Sequence, residues 1–511
     1  MAIADVPRVI TSPAPRTRGD AMPWLRFAIG GSIGVLTGLA FAYELPRGPI
    51  TTSHVLITMI VCLGIGLLGG VVTKSRWSLL LVPLGFLVAF ELGRRGTVTG
   101  PSIDTLRLDS LYGVLAFVLG RVALSLAGVL PMVLGGLLAT RPPQIRTALF
   151  AMGLGALAFG TLLPGSTPPI SDASGKRLAG SIASLEAVRL GGQEQWITLR
   201  GRSVENPVLL YLAGGPGQSD LPFVRILFDD LEQDFVVVDW DQRGTGKSYP
   251  ALDPASTHTL DQAIADTIEL TEYLRARFDE PKIYLVGESW GSTLGVLAAQ
   301  RRPDLYYAVI GSGQMVSQRE TDRRLYSDVL ALAERTGDTE LRKTMQQYGE
   351  PPYSDPFAYA VVMQQYDKLY KPYTPPESLV ELGTTAASET GPWGVFGREY
   401  NLIEKVSVMR GLTDTFAVMY PQLQGIDFRR DVPSLDVPYV MLDGAAELTA
   451  RRDLALEWYA QLEAPRKHLF TFENSAHSVA QEQFVAFRQI LLETILPETY
   501  APESVALDSG E

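Results

Sequence analysis

In the first third of the chain the apolar positions run together rather than alternate. Apolar stretches cover 24–43, 54–72, 77–92, 111–138 and 148–163, each closed by charges or by Pro and Gly. A helix needs roughly 20 apolar residues to cross the hydrocarbon core, so the pattern predicts about five membrane spans, with 77–92 and 148–163 short and 111–138 generous. Two spans within 111–138 would take roughly 40 residues, so one tilted helix is predicted, with Arg121 snorkelling or facing a neighbouring helix. The first stretch is too long for the apolar part of a signal peptide and is followed by more spans, so it reads as a retained helix. Gly31, Gly34 and Gly38 suit close helix packing.

The pattern then changes. Residues 164–180, beginning Pro164-Gly165-Ser166-Thr167-Pro168-Pro169, have no apolar period and read as an exposed tether. Two strand-like runs, 182–190 and 195–199, are broken by Gly191-Gly192 and predict a hairpin. Buried-strand runs at 208–212, 235–240, the segment before Ser289 and 307–311 alternate with helical spacing at 259–277 and after Ser289. That alternation predicts a mostly parallel sheet flanked by helices, an α/β class. It stops between about 317 and 424, where helical patterns, prolines and aromatics predict an inserted helical lid. It resumes with a strand at 437–442, a helix at 451–462, a strand at 467–472 and a last helix near 481–492. The expected organisation is a tail 1–23, a transmembrane region 24–163, a linker 164–180, an α/β domain 181–497 and a tail 498–511.

Charge sharpens this division. Residues 1–170 hold 13 Lys and Arg against 6 Asp and Glu, and the remainder 31 against 50. An acidic surface excludes nucleic acid as the expected partner, because phosphate contacts need clustered Lys and Arg. The single cysteine, Cys62, lies in an apolar run, so no intrachain disulfide forms, and this leaves the redox compartment open. With five spans and the N-terminus inside, Arg8, Arg16, Arg18, Arg26, Lys74, Arg76, Arg141 and Arg146 fall inside. Arg47, Arg94, Arg95, Arg107, Lys176 and Arg177 fall outside. This modest bias predicts an integral protein of the cell membrane with its polar domain extracytoplasmic.

The candidate chemistry centres on Gly287-Glu288-Ser289-Trp290-Gly291, a G-x-S-x-G placed between a buried strand and a helix. In that context the turn strains the serine backbone and pushes its hydroxyl out at the top of the sheet, making Ser289 the candidate nucleophile. A serine hydroxyl needs a base held by a carboxylate. Of the four histidines, His54 lies in the apolar third, His258 precedes a helix and His468 begins a strand. His477, in a loop between the last strand and the last helix, is the candidate base. The order nucleophile, acid, base puts the carboxylate after the penultimate strand, where Glu447 is favoured over Asp443, and Asp436 is a weaker competitor. Oxyanion donors are expected from the backbone of Trp290 and of Gly215, or alternatively Gly214, in Gly214-Gly215-Pro216-Gly217. The run Asp241-Gln242-Arg243-Gly244-Thr245-Gly246-Lys247-Ser248 lacks phosphate-loop spacing and reads as support, with Arg243 or Asp241 bracing the oxyanion loop. No cofactor or metal is expected, since there is neither Cys/His metal spacing nor a dinucleotide fingerprint.

Together these motifs, with Ala476-His477-Ser478, resemble the prolyl iminopeptidase family of α/β-hydrolases over about residues 180–497. The resemblance implies an α/β-hydrolase fold with a helical lid and release of N-terminal residues from peptides. It also implies lid carboxylates that read a free amino terminus, for which Glu399 and Glu404 are candidates. Two positions depart from the family pattern: Ala213 stands where His usually precedes the glycine loop, and Glu447 where Asp is usual. The leading expectation is a membrane-anchored serine aminopeptidase acting on peptides. The alternatives are an esterase or amidase on small acyl or lipid-like substrates, and a catalytically silent membrane sensor or binding protein.

Overall fold

The computed structural model describes residues 23–45, 48–94, 111–141, 144–391 and 394–500. The N-terminal tail, most of the C-terminal tail and the orientation residues Arg8, Arg16, Arg18, Arg47, Arg95 and Arg107 lie outside them.

The apolar runs form helices α1 (Pro23–Glu44), α2 (Thr52–Thr73), α3 (Ser78–Gly93), α4 (Leu111–Phe117), α5 (Ala123–Thr140) and α6 (Ile145–Leu162). A single π-helical turn, Val118–Val122, joins α4 to α5, so 111–140 is one helix, as its length predicts. Among the described residues, four helices are long and apolar enough to cross a membrane: Trp24–Glu44, Thr52–Thr73, Gly113–Thr140 and Ile145–Leu162. Helix α3, at 16 residues, falls short of that length. Glycine sets the closest approaches here: a Cβ on Gly34 would strike the Val82 carbonyl and one on Gly38 the Phe86 carbonyl. Gly31 faces open space instead.

The polar two thirds build an eight-stranded sheet in the order β1-β2-β4-β3-β5-β6-β7-β8. Strands β1 (Ile182–Leu190) and β2 (Gln193–Gly201) form the expected antiparallel hairpin, and both loop residues, Gly191 and Gly192, take positive φ. β4 (Val236–Asp241) pairs antiparallel with β2. From β4 onward the neighbours β3 (Val208–Leu212), β5 (Ile283–Glu288), β6 (Tyr306–Ser312), β7 (Tyr439–Gly444) and β8 (Lys467–Phe472) are parallel. The parallel centre is buried on both faces, which is why its strands read as continuous apolar runs. Leu210, Leu212 and Leu285 pack into one core, and Leu209, Tyr211, Tyr284 and Val286 into the other.

Helices α7 (Leu221–Leu227), α8 (Leu260–Phe278) and α9 (Trp290–Arg301) cover the sheet. The lid after β6 contains α10 (Gln318–Thr336), α11 (Thr339–Tyr348), α12 (Pro356–Met363), α13 (Tyr366–Leu369), α14 (Glu377–Thr390) and α15 (Leu402–Leu423). After it come α16 (Phe428–Asp431), α17 (Thr449–Gln461), α18 (Val479–Glu482), α19 (Phe484–Ile490) and α20 (Leu496–Thr499). The predicted last helix is therefore broken, first at Gln483 and then by a π turn at Leu491–Ile495. The linker differs from a free tether. Ile170 is buried, and Arg200 Nη1 donates to Thr167 Oγ1 and to the Pro168 carbonyl, each at 2.7 Å.

Candidate active site

Strands β3 and β5 are sheet neighbours, with Leu212 level with Gly287, so the loops leaving their C-terminal ends emerge side by side. That adjacency brings Gly214-Gly215-Pro216-Gly217 beside Ser289. Ser289 sits between β5 and α9 with φ 53° and ψ −117°, a conformation an L side chain rarely adopts. The flanking glycines make this possible: a Cβ on Gly287 would collide with the Gly291 carbonyl, and one on Gly291 with the Leu212 carbonyl. The turn is tied down when Ser289 N–H donates to the Ser312 carbonyl at 2.9 Å and Ser292 Oγ to the Ser289 carbonyl at 2.6 Å.

Trp290 opens α9, so its N–H has no partner within the helix. Gly215 has φ 113° and lines the cavity, while a Cβ on Gly214 would come within 3.4 Å of the Ser289 Cβ. The brace of this region is Gln242, which sequence reasoning passed over in favour of Arg243 and Asp241. Gln242 Nε2 donates to the Ala213 carbonyl at 3.1 Å and its Oε1 accepts from Trp290 Nε1 at 2.9 Å, so one amide links both loops. Arg243 is turned away onto Asp266 at 2.9 Å and the carbonyls of Leu190 and Gly191. Asp241 accepts from Ser219 Oγ and from the Lys247 N–H at 2.7 Å, supporting the loop only indirectly.

Glu447 follows β7 in a turn closed by its N–H to the Gly444 carbonyl at 3.1 Å. Its Oε2 faces His477 Nδ1 in a short contact, and its Oε1 accepts from Leu448 N–H at 2.7 Å and Arg451 Nη1 at 3.4 Å. Burial pushes this carboxyl up, but the charges of His477 and Arg451 and the bonds to it prevail and hold it at about 2. Asp443 lies elsewhere, with its oxygens on Arg452 Nε and Nη2 at 2.9 and 2.8 Å and on Thr471 Oγ1. The His477 loop is fixed by Glu482, which accepts from Ser475 Oγ and the Ala476 N–H. Gly313, with φ 55°, leaves room for the imidazole: a Cβ there would lie 2.9 Å from its Cε1 and Nδ1.

Ser289 and His477 line one cavity of about 260 Å³, together with Gly215, Glu288 and Arg451. Lid residues of α12, α13 and α15, among them Phe357, Tyr366 and Phe416, form the rest of its wall. Neither lid carboxylate singled out from the sequence reaches that wall. Glu399 is fully buried and accepts from Arg225 Nε at 2.6 Å, while Glu404 caps α15 through the Asn401 N–H at 2.7 Å and pairs with Lys247 at 2.7 Å. The carboxyl that does line it is Glu288. Burial and the nearby Asp220 raise it to about 8, and it accepts from the Tyr211 hydroxyl at 3.1 Å.

A mostly parallel sheet with a strand, a strained serine and a helix at its centre defines an α/β-hydrolase, and residues 207–354 match the alpha/beta hydrolase fold family. The probable aminopeptidase YbaC of Bacillus subtilis is 32% identical over 315 residues, covering 61% of this chain and 96% of that protein. The proline iminopeptidase of Arabidopsis thaliana is 37% identical over 106 residues, 20% of this chain and 25% of that one. A crystal structure of a proline iminopeptidase-related protein from Thermus thermophilus superposes with a TM-score of 0.44 at 21% identity, covering 62% of this chain and 98% of that one. The chain belongs to the α/β-hydrolases, as a relative of the Bacillus subtilis protein over nearly the whole of that protein's length.

Proposed function

We propose that the protein is a serine aminopeptidase of the proline iminopeptidase type, held at a membrane by its N-terminal helices and releasing N-terminal residues from peptides. The observation that carries this reading is His477, which lines the same cavity as Ser289 and is held from behind by Glu447. In this mechanism His477 takes the Ser289 hydroxyl proton as the oxygen attacks the scissile carbonyl, and Glu447 holds the imidazole in the right tautomer. The N–H groups of Trp290 and of the Gly214–Gly215 loop stabilise the tetrahedral oxyanion. The imidazolium then protonates the leaving amine, and water repeats the sequence on the acyl-enzyme.

Peptide chemistry is supported by the names of the relatives, and the Glu288 carboxyl in the cavity wall, neutral below about 8 by itself, would meet an α-ammonium whose charge draws off its proton. The apolar wall of Phe357, Met363, Leu412 and Phe416 favours a second reading, an esterase of acyl substrates. Proline and alanine arylamides assayed beside short acyl esters separate the two. Arylamide turnover that is lost in Ser289→Ala supports the peptidase, whereas ester turnover alone removes it. In Glu288→Gln, the KM for free-amine arylamides is expected to rise by about tenfold while acyl esters change little.

If α3 is counted as a fifth span, the positive bias favours an extracytoplasmic hydrolase domain. An introduced Ser174→Cys should then react with an impermeant maleimide in intact cells, and protection would reverse the orientation.

A further inference from the structure

One buried cation touches both walls of the cavity. Arg451 lies in the first turn of α17, four residues after Glu447, and is 5% exposed. Its Nη1 donates to Glu447 Oε1 at 3.4 Å, beside the 2.7 Å bond from Leu448 N–H to the same oxygen, leaving Oε2 to His477. On its other side the guanidinium carbon lies 4.5 Å from the ring centroid of Tyr366, the first residue of lid helix α13. The Tyr366 hydroxyl donates to Tyr359 Oη at 3.2 Å, and Tyr359, Tyr366 and Tyr370 all line the cavity. Arg451 Nε has no hydrogen-bond partner among the described residues. A guanidinium taken out of water needs full compensation. The 3.4 Å contact to Glu447 is too long to supply it alone, and the aromatic stack from the lid adds to it.

We propose that Arg451 is a positioning residue that joins the lid to the triad: Tyr366 clamps the guanidinium, and the guanidinium holds the outer oxygen of Glu447 so that the inner one stays on His477. The inference rests on the reading of Ser289, His477 and Glu447 as a triad. It makes the efficiency of the base depend on a seated lid. With α13 displaced, Arg451 loses its stack, Glu447 keeps only the Leu448 N–H on its outer oxygen, and the imidazole is less well held.

The test is two-step kinetics of Ser289 labelling by a fluorophosphonate in the full chain in detergent micelles, which separates reagent binding (KI) from the chemical step (kinact). In Arg451→Met, kinact per folded molecule is expected to fall about tenfold or more with KI within about twofold of the parent. Tyr366→Leu, which leaves the charge in place, should lower kinact in the same direction by about threefold. Arg451→Lys should recover only part of the loss, because an ammonium is a point charge without a planar face. A purely structural role would lower the melting temperature and the labelled fraction without slowing the folded molecules. If the parent protein is labelled but Arg451→Met keeps its kinact, or changes KI alone, the proposal is overturned. If Arg451→Met does not fold, an unchanged kinact in Tyr366→Leu overturns it. Failure of the parent to label at Ser289 removes the triad reading itself.

Discussion

Glycine does the same physical job in the N-terminal helices and around Ser289, with opposite purposes. In the helices, Gly34 and Gly38 let one backbone lie on the carbonyls of Val82 and Phe86. Within a bilayer, lipid would offer such helices no hydrophobic reason to associate, and close van der Waals contact would supply it. Around Ser289, Gly287 and Gly291 let a strand, a helix and the end of β3 converge, and the benefit is the aim of one side chain rather than packing. Removing a methyl's worth of space should cost assembly in the first region and chemistry in the second.

The largest expected effect tests the chemical side. Ser289→Ala and His477→Ala should each lower arylamide turnover by about 10³-fold or more while the protein stays folded, read by steady-state rates beside circular dichroism. The two acids come next. Glu447→Gln should cost about 10²-fold or more, whereas Asp443→Asn, whose loss breaks the bonds to Arg452 and Thr471, should act mainly on stability. A larger catalytic loss in Asp443→Asn would transfer the role of the acid.

The glycine comparison itself is broken or sharpened by three alanines. Gly291→Ala should destabilise by about 1–3 kcal/mol and slow labelling of Ser289, because its Cβ meets the Leu212 carbonyl. Gly34→Ala should lower the thermal stability of the helical region and leave labelling unchanged. Gly31→Ala, facing open space, should do neither. Equal effects at 31 and 34 would sink the close-approach argument for the helices.

The smallest effect is a pH slope. Burial raises Asp220 to about 6, Asp241 to about 7 and Glu288 to about 8, so each carboxyl binds a proton more tightly when folded. The stability this supplies is full below about 4, the ordinary carboxyl value, and is lost as pH rises from there through about 8. Glu447 has the opposite sign: held at about 2, it contributes above about 4 and loses that contribution as pH falls. Hydrogen exchange in β3, β5 and β6 should therefore be slower relative to its intrinsic rate at about pH 6 than at about pH 8.5, with a shallower decline in Glu288→Gln. An unchanged slope in that variant would show that Glu288 does not titrate there.

Much of this arrangement is local and therefore readable. Apolar runs set the helices, fully buried runs set the parallel strands, and glycine spacing about Ser289 sets the turn. The order of segments leaves one histidine between the last strand and helix, and the reach of a glutamate a turn beyond β7 favours Glu447 without knowledge of any contact. What escaped depended on partners far along the chain. Glu399 looked free but is taken by Arg225, and Arg243 looked like the loop's brace but is drawn to Asp266, leaving the task to Gln242. Gly313 carries no motif, and only the neighbouring β6 and the His477 loop show why a side chain there would crowd the imidazole.

The sequence by itself determined the two regions, the sheet's alternation, the strained serine and the order of its partners along the chain, because periodicity and turn chemistry act over a few residues. Tertiary structure decided which carboxyl faces the cavity, which amide ties the loop after β3 to Trp290, and which arginine reaches Glu447. Those choices are made by side chains competing for charge and hydrogen bonds across folded space, and no local pattern records the winner.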